Sequence, residues 1–167
     1  MTEVFLLNIG GSVLCYYNSI QEKNEAGMGE NNPHMVASFL TGILQFAEKI
    51  QKDEINHFDM GSKYIVITST IFSDTSRIYY VILAEKSTKK NIKYLEEKLD
   101  KIRNEFEETY SRDDIVNWNG DLDFFEQFNS AIKIVIDGDS RILTNEERKK
   151  KFLQVWKEKV ITFNKIF

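Results

Sequence analysis

The chain has 167 residues, 42% hydrophobic and 13% aromatic, which suits one domain with a sizeable core and excludes a disordered protein. Its formal charge of −4 is unevenly spread: residues 141–167 hold eight Lys/Arg and three Glu, net +5, and the remaining 140 hold 14 basic and 23 acidic residues, net −9. An acidic body argues against broad nucleic-acid binding, a lone Cys15 rules out an internal disulfide, and no apolar run approaches the roughly 20 residues that span a bilayer.

Met1-Thr2-Glu3 places no basic region ahead of the first apolar run, so no signal peptide is read there, and a reduced, soluble, cytoplasmic protein is expected. Val4–Ile9 and Ser12–Tyr17 read as two short strands turned by Gly10-Gly11, where both glycines can take positive φ. The turn lacks the following helix and the Lys-Ser/Thr of a phosphate loop. Asn18 to Asn32 is polar, with Gly27 and Gly29, and reads as a long surface connection. Asn32-Pro33 is a helix start, Asn as N-cap and Pro at the first position. Val36, Phe39, Leu40, Ile43, Ala47 and Ile50 follow at helical spacing, with Leu44 and Phe46 widening the stripe, so a heavily buried first helix is expected. Gly42 in its middle predicts a close helix–strand contact.

Glu54–Met60 alternates with period two and reads as a short strand carrying His57 on one face. No second His, Cys or carboxylate cluster lies at ligand spacing around His57, and His34 sits at a helix start, so neither is assigned a metal or a catalytic role. Tyr64–Ile71 and Ile78–Ala84 then form a hairpin across Ser73-Asp74-Thr75-Ser76. Their apolar residues are consecutive, which predicts a sheet covered on both faces. After Ser87 the period changes: Ile92, Leu95, Leu99, Ile102 and Phe106 share one stripe among Lys and Glu, an amphipathic helix laid on that hairpin.

Arg112 to Asn119 reads as a polar connection in which Trp118 is expected to be buried. A third helix opens at Gly120-Asp121, packs Leu122, Phe125, Phe128, Ile132 and Val135, and stops at Gly138. Asp137-Gly138-Asp139 does not continue as a calcium loop, because Arg141 stands at the fifth position and the sixth is not Gly. Thr144 and Glu147 make a capping box that opens a last helix, with Phe152, Val155, Trp156, Val160, Phe163 and Phe167 as its stripe. Lys149, Lys150 and Lys151 cluster at its start. Lys149, Lys150, Lys151, Phe152, Trp156, Val160 and Phe163 are the candidate partner-binding residues, on this domain's own acidic body, on a protein partner or on an anionic membrane.

The order β-β-α-β-β-β-α-α plus a terminal helix resembles the longin domain. The pieces that carry the resemblance are FLLNIGGSVLCYY as the opening hairpin, VASFLTGILQFAEKI as the first helix and KYIVITST with IYYVILAEKS as the central hairpin. Free-standing longin modules are similar in size: adaptor-complex small subunits, coatomer zeta and TRAPP-type subunits. The resemblance implies an α+β, profilin-like fold: a five-stranded antiparallel sheet with one helix on one face and two on the other. It assigns residues 1–140 to that domain and residues 141–167 to a C-terminal basic amphipathic helix packed on it or extending from it. The Lys-, Asn- and Ile-heavy composition points to a prokaryotic source, with an archaeal longin-like protein expected.

What the resemblance implies for function is a scaffold in vesicle trafficking or small-GTPase regulation. Its partners would be a small GTPase or a related longin or roadblock subunit, in a homodimer or heterodimer, without cofactor and without catalysis. A roadblock-like GTPase regulator and a small-ligand sensor are the alternatives. No paired carboxylates, nucleophile–base pair or phosphate loop stands in the sequence to suggest an enzyme.

Overall fold

A computed structural model describes residues 1–20, 32–50, 56–87 and 91–138, with side chains 48–50 excepted. Two hairpins set the architecture. In the longer one, β4 (Lys63–Ser73) and β5 (Ser76–Glu85) are joined by the two residues Asp74-Thr75, with Ser73 opposite Ser76. In the other, β1 (Thr2–Asn8) pairs with β2 (Val13–Asn18), and β1 then lies antiparallel on β5, Phe5 opposite Val81. With β3 (His57–Met60) on the far side of β4, the five strands run in the order β2-β1-β5-β4-β3, every neighbour antiparallel. The α+β class expected from the sequence is what forms.

The consecutive apolar residues of β5 divide by parity, as side chains on a strand must. Tyr79, Val81 and Leu83 join Phe5, Leu7, Ile65 and Ile67 in a core with Ala37, Leu40 and Leu44 of α1 (Pro33–Ile50). Tyr80, Ile82 and Ala84 join Val4, Leu6 and Val66 in a second core. Leu95, Leu99, Ile102 and Phe106 of α2 (Ile92–Thr109) close that core, with Ile115 of α3 (Arg112–Val116), Phe125 of α4 (Asp123–Glu126) and Phe128 and Ile132 of α5 (Phe128–Asp137). Both faces of the central strands are therefore apolar-covered, and this explains why neither strand alternates.

The opening turn differs from expectation. Gly11 N–H donates to Asn8 O at 2.9 Å, and Gly11 alone of the glycine pair takes positive φ, at 84°. A Cβ there would sit 3.0 Å from Thr41 Oγ1 of α1. The close helix–strand approach foreseen at Gly42 is made at Gly11 instead, and among the described residues nothing lies within 4 Å of a Cβ at Gly42. Gly11→Ala should therefore cost about 1–3 kcal/mol, from left-handed strain and crowding on Thr41. A thermal melt of the variant superimposable on that of the wild type would contradict this packing.

Two further departures lie beyond α2. The expected polar connection contains α3, opened by a reciprocal cap in which Asp114 N–H donates to Ser111 Oγ while Ser111 N–H donates to Asp114 Oδ2. The expected single third helix is split at Gln127 into α4 and α5, with Leu122 exposed ahead of it and Asp121 Oδ1 accepting from Asp123 N–H. Gly138, at φ 71°, follows α5 as foreseen. Trp118 is half-buried, its ring 5.2 Å from that of Phe125 and its Nε1–H donating to Asp121 O. No helix of the described residues is long and apolar enough to cross a membrane.

Candidate partner-docking face

Helix α1 departs most from expectation. Asn32 caps it as foreseen, its Oδ1 accepting from His34 N–H at 3.0 Å. The buried stripe is Ala37, Leu40, Thr41, Leu44 and Ala47. Phe39, expected in the core, is 55% exposed, and Ile43 is only half-buried. The helix is rotated so that the smaller side chains face the sheet.

A second apolar stripe remains on the opposite side. From Met35, steps of four, three and four residues reach Phe39, Gly42 and Phe46, which is one line along a helix of 3.6 residues per turn. Met35 is 69% exposed and Phe46 61%, and Gly42, also exposed, leaves bare backbone between the two rings. Residues 32–47 hold no Asp, Glu, Lys or Arg, in a chain that is 29% charged. Such a helix is apolar on both sides, and a helix of that kind is normally covered on both. Beside it, Gln45 Nε2 donates to Ile9 O at 3.1 Å, placing the partly exposed Ile9 against the C-terminal half of α1.

The ionisable groups are arranged differently. Glu3 is 2% exposed on the α1 side of β1. Its Oε1 accepts from Tyr16 Oη at 2.9 Å, and its Oε2 has no hydrogen-bond partner among the described residues. Burial raises the Tyr16 phenol to about 12, with a smaller downward contribution from Asn18 and a smaller upward one from Glu3. Cys15 is buried in β2, its thiol facing Phe125 O at 3.4 Å and pushed by burial up to about 12, so it stays protonated and inert near neutral pH. Burial likewise raises the phenols of Tyr80 and Tyr110. Lys98 on α2 donates to Val135 O near the end of α5, a cation placed where a helix C-terminus favours one, and burial lowers its pKa. These groups secure helices and strands to one another. Among the described residues there is no group of three or more His, Cys, Asp or Glu placed to hold a metal.

His57 and His34 are exposed, on the edge strand β3 and in the first turn of α1. Lys149, Lys150, Lys151, Phe152, Trp156, Val160 and Phe163 lie outside the described residues, as do the capping box at Thr144, most of the polar connection after Asn18 and the start of the strand expected at Glu54. The residues that the sequence reading missed are Met35, Phe39, Gly42 and Phe46. The available signal was the absence of charge from residues 32–47, which gives the helix two apolar phases in place of one. Compared with models of known protein families and with curated proteins, the chain matches none.

Proposed function

We propose that the protein is a non-catalytic interaction module of longin type, built to present the outer face of α1 to a protein partner. The observation that carries this reading is the uncharged stripe of Met35, Phe39, Gly42 and Phe46, exposed on the far side of a helix whose other side is already buried. Exposed aromatic and Met side chains around bare backbone are what a partner's apolar anchor requires. The resemblance drawn from the order of elements supports the class of partner: a small GTPase or a related longin or roadblock subunit. The five-stranded antiparallel sheet flanked by helices is compatible with it. The basic segment carrying Lys149–Lys151, Phe152, Trp156, Val160 and Phe163 is a second proposed contact, for a protein or an anionic membrane surface.

The test is affinity capture from native cell extract, with and without GTP analogues, comparing the wild type with Phe39→Glu/Phe46→Glu. Both side chains are exposed, so the variant should fold. Removing two aromatic anchors should weaken a specific capture by at least about 30-fold, since one hot-spot residue is worth about 2 kcal/mol or more. Unchanged capture of every specific partner by the double variant would overturn the assignment of this face.

A further inference from the structure

The geometry points to a second copy of this chain as the occupant of the α1 face, in an antiparallel helix pair that crosses at Gly42. This rests on the reading of α1 as a docking face, and it adds the occupant and the register.

Three observations carry it. The first is Gly42. Glycine inside a helix is destabilising, and among the described residues no neighbour takes advantage of the missing side chain. Bare backbone on an exposed face suits another backbone approaching it closely. The second is the spacing. Phe39 and Phe46 lie three residues before and four after Gly42. In an antiparallel pair centred beside Gly42, Phe39 of one copy faces Phe46 of the other, and the two-fold axis repeats the contact. A two-fold interface requires this self-complementarity, residue i meeting j while j meets i. The third is charge. The first 140 residues carry net −9, so most faces of one copy would repel their counterparts on another. The α1 stripe is uncharged from Met35 to Phe46, and among residues 32–47 the one titratable side chain, His34, is not acidic.

The area sets the strength. Met35, Phe39 and Phe46 leave on the order of 350 Å² of apolar side chain in water, a patch at the low end of the largest found on typical monomers. Two such faces with the usual polar rim bury about 1,100–1,200 Å² in total, the lower limit of standard interfaces. A reversible dimer with a dissociation constant in the micromolar range is expected.

The experiment uses the full chain. Sedimentation from about 1 to 200 µM should show a monomer–dimer equilibrium for the wild type. Gly42→Leu and Phe46→Glu should each raise the dissociation constant at least about tenfold, with melting temperature at low concentration unchanged or, for Gly42→Leu, raised. Disulfide crosslinking fixes the register, because buried Cys15 does not compete. Under mild oxidation, a mixture of Phe39→Cys and Phe46→Cys should form the mixed disulfide several-fold faster than either variant couples to itself. A wild type that stays monomeric at 200 µM overturns the dimer and leaves the docking face to be judged by the capture experiment. A dimer that tolerates both Gly42→Leu and Phe46→Glu, or one that crosslinks each variant alone better than the mixture, also overturns it.

Discussion

Phe106→Ala should destabilise the protein by about 3–5 kcal/mol, the largest effect expected of any single truncation here. Phe106 is fully buried at the centre of a ring cluster. Its ring centroid lies 4.8 Å from that of Tyr110, 5.2 Å from Phe128, 5.7 Å from Tyr80 and 5.9 Å from Phe125. The side chain therefore joins α2 to β5, α4 and α5 at once. Its removal leaves a cavity bounded by four aromatic rings that cannot collapse into it without leaving their rotamers. Each lost aromatic pair adds roughly 0.5–1.5 kcal/mol to the area term. Urea denaturation followed by tyrosine and tryptophan fluorescence measures the loss. A loss below about 1 kcal/mol would mean that α2 is not seated on the sheet through this residue.

The second large effect separates two neighbouring residues on α1. Leu40→Ala should cost about 2–5 kcal/mol, because Leu40 is buried against Phe5, Leu7 and the α1-facing residues of β4 and β5. Phe39→Ala, one position earlier, should change protomer stability by no more than about 0.5 kcal/mol, as exposed substitutions do. Chemical denaturation at low protein concentration, where self-association does not contribute, reads both values. Similar losses at the two positions would mean that the helix is rotated about its axis from the phase described.

The same pair shows why some of the fold was legible and some was not. The stripe of α2 could be read directly because Lys and Glu fill its other face, so the apolar phase was unambiguous; Leu95, Leu99, Ile102 and Phe106 are all buried. In α1 nothing charged marks the solvent side before Glu48 and Lys49 in its last turn, and an apolar residue is available in every direction. Sequence periodicity then admits Phe39 and Phe46 beside Leu40, Leu44 and Ala47, while the packing keeps those three, adds Ala37 and leaves both rings exposed. The central hairpin was legible because Ile65–Ile67 and Tyr79–Leu83 are too apolar for a one-sided strand. The placement of β1 between β2 and β5 was not, because pairing across 70 to 82 residues, from Asn8 with Ile78 to Thr2 with Ala84, is a long-range choice that local pattern does not encode. The break at Gln127 has no Gly or Pro to announce it. The cap that opens α3 is written as Ser111-Arg112-Asp113-Asp114, but it falls in a stretch too polar to suggest a helix. The candidate face was missed for the same reason as the phase of α1: Phe39 and Phe46 were counted into the core, Gly42 was given a strand to face, and Met35 was assigned to neither side.

Methyl NMR on methionine tests the docking face most directly. Met35 lies on the α1 stripe, and Met60, about half exposed on β3, serves as a control away from it. When a captured partner is titrated in, or when the protein itself is concentrated if its partner is a second copy, the Met35 methyl resonance should shift or broaden in step with binding while that of Met60 holds. A complex that forms while Met35 stays unperturbed would contradict the assignment of α1 as the docking face.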